Sequence, residues 1–143
     1  MSLTLIEGPA GSGKSQVVAA MLAAGEVDVV ADLTELWAAL RGVRRGPDGR
    51  YPIRLDEDPA IATGLAVYQR AAAVRQGLRQ GLRVAVTSGT PDTAAHWSEV
   101  AREAGAAFTV QTIDPGEAVV RDRLTVDGIL PDQCEGAIRR WYR

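Results

Sequence analysis

The segment from Gly8 to Ser15 constrains the fold of this chain more than any other part of the sequence. Its residues are Gly8, Pro9, Ala10, Gly11, Ser12, Gly13, Lys14 and Ser15. They satisfy the pattern G-x-x-x-x-G-K-[ST] at every required position, and this pattern binds phosphate groups when a strand precedes it and a helix follows it. The apolar run 3–6 predicts that strand, and residues 15–24 have the apolar spacing of a helix. We therefore expect the backbone N–H groups of the loop to surround a phosphate at the positive end of the helix.

Lys14 and Ser15 carry the chemistry of this loop. Lys14 is the single lysine among 16 basic residues, so the other fifteen are arginines. In such loops the lysine contacts the β- and γ-phosphates and the serine hydroxyl binds Mg²⁺. We therefore predict that ATP or GTP binds here with Mg²⁺, that all eight loop residues contact the nucleotide, and that Ser15 is the metal ligand.

Strand and helix patterns alternate along the 143 residues, which predicts an α/β fold with a parallel sheet covered by helices on both faces. Four strands are predicted, at residues 3–6, 27–31, 82–87 and 107–113. The longest helix is predicted over residues 59–80. Its apolar residues at near-helical spacing are Ile61, Leu65, Tyr68, Ala72 and Leu78. The length is typical of one domain, and we expect residues 1–143 to form it.

Composition excludes several classes of protein. The net charge is -2, so the chain has no global basic field for nucleic acid. Cys134 is the single cysteine, which excludes an intrachain disulfide and a zinc site built from cysteines. No apolar run approaches the ~20 residues needed to cross a bilayer, and the first residues lack the features of a secretory signal. We therefore expect no membrane partner and a cytoplasmic location.

A basic loop is predicted over residues 41–58. Its arginines are Arg41, Arg44, Arg45, Arg50 and Arg54, and Asp56, Glu57 and Asp58 end it with negative charge. Guanidinium groups suit phosphate and Tyr51 can stack on a base, so one interpretation is a surface that binds a nucleic-acid or nucleotide acceptor. The other interpretation is a solvated loop without a ligand, because a charge cluster alone is common at protein surfaces.

Asp32 follows directly after the second predicted strand. Ligands bind at the edge formed by the carboxyl ends of parallel strands, so its carboxylate is a candidate for handling the nucleophile of a transfer reaction. A structural interpretation competes with this one, because Asp32 and Glu35 have the spacing of a capping box for a helix over residues 33–40. The two roles do not exclude each other.

Arg121 and Arg123 lie in a lid-like segment, residues 114–143, that follows the fourth predicted strand. Arginines of such a segment can stabilise a phosphate during its transfer, or they can form a solvated helix face. Residues two apart on a helix point roughly 200° from each other. We expect Arg121 to contact the γ-phosphate and Arg123 to face solvent, and Arg139 and Arg140 are further candidates.

Together these residues resemble the P-loop kinase-like family that includes the 5′-kinase domain of phage polynucleotide kinase and small phage and bacterial AAA-type ATPases. The resemblance rests on Gly8–Ser15, Asp32, residues 84–91 and 109–114, and the region of Arg121 and Arg123. It implies a three-layer domain whose sheet of about four strands has the order 2-3-1-4. It also implies that Asp32 activates the hydroxyl of an acceptor and that lid arginines contact the phosphates.

The third predicted strand departs from that family. The resemblance puts an aspartate beside the metal at the place where this chain has Ser88, and a hydroxyl binds a Mg²⁺-bound water less well than a carboxylate does. Two functions therefore remain open. The first is a small kinase that transfers a γ-phosphate to a nucleic-acid 5′ end or a nucleotide. The second is an accessory protein that binds or hydrolyses ATP and acts through a protein partner or as a homo-oligomer.

Overall fold

A parallel sheet of four strands in the order β2-β3-β1-β4 organises the chain, as predicted. The computed structural model describes residues 1–53, 55 and 60–143. The strands are β1 (Ser2–Glu7), β2 (Val29–Ala31), β3 (Arg83–Ser88) and β4 (Ala107–Thr112). The helices are α1 (Lys14–Ala23), α2 (Leu33–Arg41), α3 (Ala60–Arg79), α4 (Ala94–Ala104), α5 (Glu117–Val126) and α6 (Pro131–Tyr142). Arg54, Asp56, Glu57, Asp58 and Pro59 lie outside the described residues, and so do the end of the predicted basic loop and the predicted start of the longest helix.

Strand β1 lies between β3 and β4 and carries the phosphate-binding loop at its carboxyl end. Leu3 pairs with Val84 of β3 on one side and with Phe108 of β4 on the other. Leu3 and Leu5 are fully buried, because a central strand of a parallel sheet has apolar layers on both of its faces. The loop therefore begins from an interior strand that has a neighbour on each side.

Helices cover both faces of this sheet, which confirms the predicted three-layer arrangement. On one face, residues of α3 and α4 such as Val74 and Trp97 pack against Val84 and Val86 of β3. The opposite face packs on α1, where Val18 contacts the group that contains Ala85. Successive side chains of a strand alternate between faces. Val84 and Val86 of β3 therefore pack on the side of α3 and α4, and Ala85 packs on the side of α1.

The buried face of α3 differs from the one predicted. Ile61 is 80% exposed and Tyr68 is 71% exposed, whereas Ala66 and Gly77 are buried. A Cβ atom at Gly77 would lie 2.8 Å from the Cγ2 atom of Val84. Leu78 is buried as predicted, and small residues beside it allow α3 to approach β3 closely, so the inner face combines Ala66 and Gly77 with Val74 and Leu78.

Helices α5 and α6 form a pair that packs on the phosphate-binding loop. Val120 and Leu124 of α5 are buried against Ile138 of α6, and Ala10 of the loop packs against the same group. Asp114 does not cap α5 directly, because the helix begins at Glu117 and the Asp114 carboxylate accepts a hydrogen bond from the backbone N–H of Gly116. Among the described residues, no helix has the length and hydropathy to span a bilayer.

Candidate nucleotide and acceptor site

The loop between β1 and α1 has a backbone that only glycine accommodates at two critical positions. At Gly8, a Cβ atom would lie 2.2 Å from the carbonyl oxygen of Ile113, at the end of β4. At Gly13, φ is 99°, in the left-handed region that side chains other than hydrogen disfavour. These two glycines let the chain turn tightly from the strand into the helix.

The Lys14 side chain forms hydrogen bonds with the backbone of its own loop. Its Nζ atom donates hydrogen bonds to the carbonyl oxygens of Gly8 and Pro9, both at 2.8 Å. Burial lowers the pKa of the Lys14 ammonium to about 8, while the negative charge of Asp32 opposes that shift. Lys14 of the loop and Asp32 after β2 are therefore close enough for their charges to interact.

The loop residues fit a nucleoside triphosphate. Ser12 is 4% exposed, and its Oγ atom has no hydrogen-bond partner within the described part of the chain. A buried hydroxyl without a partner is costly, so a ligand that reaches this loop gains an available donor as well as the Lys14 ammonium. Ser15 lies in the first turn of α1, where its hydroxyl suits Mg²⁺.

A metal ion at this position would depend on few protein ligands. The described residues contain no cluster of three or more His, Cys, Asp or Glu side chains able to hold a metal. Mg²⁺ commonly retains several waters and binds through substrate phosphates with one or two protein ligands. The donor set around Ser15 is consistent with that mode of binding and not with a cage built from protein carboxylates.

Asp32 fills the structural one of the two roles that the sequence left open. It is the N-cap of α2, where its Oδ1 atom accepts a hydrogen bond from the backbone N–H of Thr34 at 3.2 Å. Oδ1 also accepts from the hydroxyl of Thr87 at 3.2 Å. The residue is only 4% exposed, yet its Oδ2 atom has no hydrogen-bond partner among the residues that the structure describes. One carboxylate oxygen therefore caps the helix, and the other is buried at the sheet edge without using its capacity to accept a hydrogen bond.

Glu35 does not complete the predicted capping box. Its carboxylate binds Arg45 and the hydroxyl of Tyr51 instead. The Arg45 guanidinium carbon lies 4.3 Å from the centre of the Tyr51 ring, and Tyr51 packs edge-on against Trp37 with ring centres 6.1 Å apart. A base that stacks on Tyr51, as the sequence suggested, would have to compete with Arg45.

The basic loop is also connected to the C-terminal end of α5. Arg50 forms an ion pair with Asp127 at 3.1 Å. Together with the contacts of Arg45, this pair occupies two of the arginines that were candidates for binding an acceptor. The structure therefore gives these two side chains intramolecular partners.

The two residues at the end of β3 have opposite orientations. Thr87 follows the alternation of Ala85, which packs on the α1 side, and its hydroxyl donates to Asp32. Ser88 faces the other side, where its Oγ atom accepts a hydrogen bond from the Thr93 hydroxyl at 2.9 Å and contacts Thr90. The expectation that Ser88 stands beside the metal is therefore wrong, because its side chain closes the turn after β3.

The two lid arginines have different intramolecular partners. Arg123 donates from Nη1 to the carbonyl oxygens of Gly11 and Ser12, both at 3.2 Å. Arg121 forms ion pairs with Glu117 and with Glu135 of α6. Arg121 and Arg123 lie on different sides of α5, as expected for residues two apart on a helix. The side of Arg121 faces α6, and the side of Arg123 faces the loop.

Arg70 is a candidate that the sequence analysis did not identify. It extends from α3 to the end of β3, where Nη1 donates to the carbonyl oxygen of Thr87 at 2.9 Å. Its guanidinium carbon lies 5.5 Å from the centre of the Trp97 ring. Burial lowers the pKa of Arg70, and the charge of Asp32 opposes this. Nothing in the sequence distinguishes Arg70 from other helical arginines, because only the crossing of α3 over the sheet brings it here.

Comparisons with known proteins agree with this architecture. The sequence pattern of an AAA-domain family matches residues 3–126. A search of curated proteins finds no match.

Three solved structures illustrate the similarity in fold. A candidate kinase from Chloroflexus aurantiacus J-10-fl has a TM-score of 0.71 at 12% identity, over 98% of this chain and 76% of that one. A gluconokinase from Sinorhizobium meliloti 1021 has a TM-score of 0.57 at 16% identity, over 99% and 75%. The tunicamycin resistance protein of Deinococcus radiodurans has a TM-score of 0.54 at 22% identity, over 97% and 79%. At such identities the likeness concerns the fold, and function has to be argued from the site.

Proposed function

This chain belongs to the AAA-domain family, and from that premise we propose that it is a small kinase that transfers the γ-phosphate of ATP to a hydroxyl group. The observation that carries the proposal is the position of Asp32. A buried carboxylate with one unpartnered oxygen interacts with the lysine of the phosphate-binding loop. A helix cap uses only one carboxylate oxygen, so the buried second oxygen of Asp32 supports a further role for this residue.

In the proposed reaction, the acceptor hydroxyl approaches the γ-phosphorus from the side of Asp32. Its proton passes to Oδ2 of Asp32, the acceptor oxygen forms a bond to the γ-phosphorus, and the bond between that phosphorus and the β–γ bridging oxygen breaks to leave ADP. Lys14 would contact the β- and γ-phosphates, and Ser15 would hold a Mg²⁺ ion whose charge would offset theirs. Positioning and charge stabilisation supply most of the rate in such reactions.

Arg123 is the residue that we assign to the transferred phosphate. Its guanidinium already lies at the carbonyl oxygens of Gly11 and Ser12, so a short side-chain movement would bring it over a phosphate bound in the loop. An arginine supplied from the same chain stabilises the charge of the transferring group.

Two similarities favour different classes of acceptor. The similarity to a gluconokinase supports a small hydroxylated molecule, whereas the resemblance to the polynucleotide kinase domain favours a nucleic-acid 5′ end or a nucleotide. Because Arg45 and Arg50 of the basic loop have intramolecular partners, we favour the small molecule.

A second candidate is an ATP-binding or ATP-hydrolysing protein that acts through a partner. The end of β3 favours it, because the residue facing α1 there is Thr87 and not an acid. Such a protein would bind nucleotide through the same loop without transferring phosphate to a small acceptor.

Incubation with γ-labelled ATP, Mg²⁺ and separate hydroxyl acceptors distinguishes the two candidates. The acceptors would be sugars, sugar acids, nucleosides, nucleotides and 5′-hydroxyl oligonucleotides, with the Lys14→Ala variant as the blank. A kinase transfers label to at least one acceptor and the variant does not. Release of inorganic phosphate alone, at a rate that no acceptor changes, would instead support the accessory function.

A further inference from the structure

Thr87 brings two charged side chains to one point at the edge of the sheet. The Asp32 carboxylate accepts from its hydroxyl, and the Arg70 guanidinium donates to its carbonyl oxygen. The Asp32 carboxylate and the Arg70 guanidinium therefore both contact Thr87, at the end of the strand next to β1 and its phosphate-binding loop.

Each of these charged groups retains a polar atom without a partner. Oδ2 of Asp32 and Nε of Arg70 are both buried and form no hydrogen bond within residues 1–53, 55 and 60–143, so they do not bond to each other. Burying charged groups without a complete set of hydrogen bonds costs free energy. A hydrogen bond between these two atoms would reduce that cost, yet they form none.

The free atoms have complementary chemistry. The carboxylate oxygen accepts a proton donor such as a hydroxyl, and the Nε–H donates to an acceptor. A guanidinium matches carboxylate and phosphate oxygens better than neutral groups, because it presents several fixed donors and remains charged. A molecule that carries a hydroxyl and an anionic group would satisfy both.

We propose that Arg70 binds a carboxylate or phosphate group of the same acceptor whose hydroxyl faces Asp32. This inference rests on the proposed kinase function and narrows its substrate class to small hydroxylated anions. The anionic group anchors the acceptor at α3, and the hydroxyl is then directed to Oδ2 of Asp32 and to the γ-phosphate.

Anion binding tests the Arg70 site without knowledge of the acceptor. The full chain is saturated with a non-hydrolysable ATP analogue and Mg²⁺, so that the phosphate-binding loop is occupied. Inorganic phosphate and acetate are then titrated separately, and binding is followed by NMR. The tighter of the two probes identifies the class of anion.

Variants of two arginines on the same helix provide the comparison. Arg70→Gln should weaken binding of the preferred anion by about tenfold or more, since it removes hydrogen bonds from a charged donor. Arg75→Gln is the matched control, because Arg75 lies on the exposed outer surface of α3 beside Tyr68 and Arg79, and it should bind like the wild type. Arg70→Lys, which keeps the charge but lacks the planar set of donors, should also weaken binding and serves if the glutamine variant does not fold. Unchanged binding in a folded Arg70 variant, or binding of neither anion by the wild type, overturns the proposal.

Turnover separates this inference from the function on which it rests. Two matched pairs of acceptors are compared, gluconate with sorbitol and thymidine 3′-phosphate with thymidine. We expect the wild type to prefer the anionic member of one pair, and Arg70→Gln to raise the KM for it while leaving the KM for ATP unchanged. Equal use of both members would overturn the role of Arg70 but not the kinase. Phosphorylation of no acceptor at all, with anions still bound through Arg70, would instead overturn the kinase and leave the anion site standing.

Discussion

Arg123 of α5 donates a hydrogen bond to the carbonyl oxygen of Gly11, 3.2 Å away, and so joins the C-terminal helix pair to the phosphate-binding loop. A Cβ atom at Gly11 would lie 3.2 Å from a side-chain carbon of Leu124, which shows how closely α5 approaches. We therefore expect nucleotide binding and the position of α5 to be coupled, because Arg123 bonds to the backbone of the loop proposed to bind the phosphates.

Alanine substitution distinguishes the two arginines of α5. We expect Arg123→Ala to lower turnover by up to about 10³-fold, the lower end of the range for arginines that stabilise a transferring phosphate. Arg121→Ala should leave turnover nearly unchanged and slightly lower the Tm, because its ion pairs with Glu117 and Glu135 only join helices. Steady-state kinetics and thermal melts on both variants make the comparison. An equal loss of turnover in the two would contradict the assignment.

The pKa of Lys14 predicts a pH dependence of nucleotide binding. Burial lowers that pKa to about 8, so the free protein loses the ammonium charge as the pH rises through 8. Phosphates favour the charged form, and ATP affinity should therefore fall by up to about tenfold per pH unit above 8. Calorimetric titrations between pH 6.5 and about 9.5 measure this.

The lowered pKa of Lys14 also makes the stability of the nucleotide-free protein depend on pH. Because the folded pKa lies below the unfolded value of 10.5, the unfolded chain binds more protons between pH 8 and 10.5, and this residue makes stability rise with pH over that window. Lys14→Arg keeps its charge throughout and should show neither effect. An ATP affinity that declines in the same way in Lys14→Arg would assign the titration to another group.

The loop and the helix cap were predictable because both depend on neighbouring residues. Gly8–Ser15 encodes a turn between a strand and a helix, and Asp32 caps the helix that begins one residue later. The roles of Arg70 and Arg123 were not predictable, because α3 and α5 bring them to the site through packing over long sequence separations. The face of Ser88 depended on the exact strand register, which an apolar run does not define.

Two glycines of α3 test why the predicted face of that helix was wrong. Gly77→Ala should destabilise the protein by about 1–3 kcal/mol, because the added methyl group meets Val84 at 2.8 Å. Gly64→Ala lies in the same helix with nothing within 4 Å, and it should stabilise by about 0.5–1 kcal/mol. Urea unfolding of both variants gives the two values. A stabilising Gly77→Ala would mean that α3 does not approach β3 as closely as described.

Ser88→Asp tests where the side chains of β3 point. From the sequence alone, the substitution would be expected to tighten the Mg²⁺ site. In the structure Ser88 faces Thr90 and Thr93, so we expect an unchanged Mg²⁺ dependence and a loss of stability of about 1–3 kcal/mol from an unsatisfied buried charge. Ser88→Asn, which is neutral and of the same size as the aspartate, should lose less. A lower Mg²⁺ requirement in Ser88→Asp would show that its carboxylate reaches the nucleotide.

Substitution of Asp32 separates its structural role from its chemical one. Asparagine keeps an oxygen that accepts from Thr34 and Thr87, so Asp32→Asn should retain the Tm and the nucleotide affinity of the wild type. Its amide cannot accept a proton, and acceptor phosphorylation should fall by about 10² or more. Asp32→Ala removes the cap as well, and should additionally lose about 1 kcal/mol of stability. Melting curves, ATP titrations and turnover with the best acceptor are measured on all three proteins. Full activity in Asp32→Asn would reduce Asp32 to a helix cap, because the hydrogen bonds from Thr34 and Thr87 are preserved in that variant.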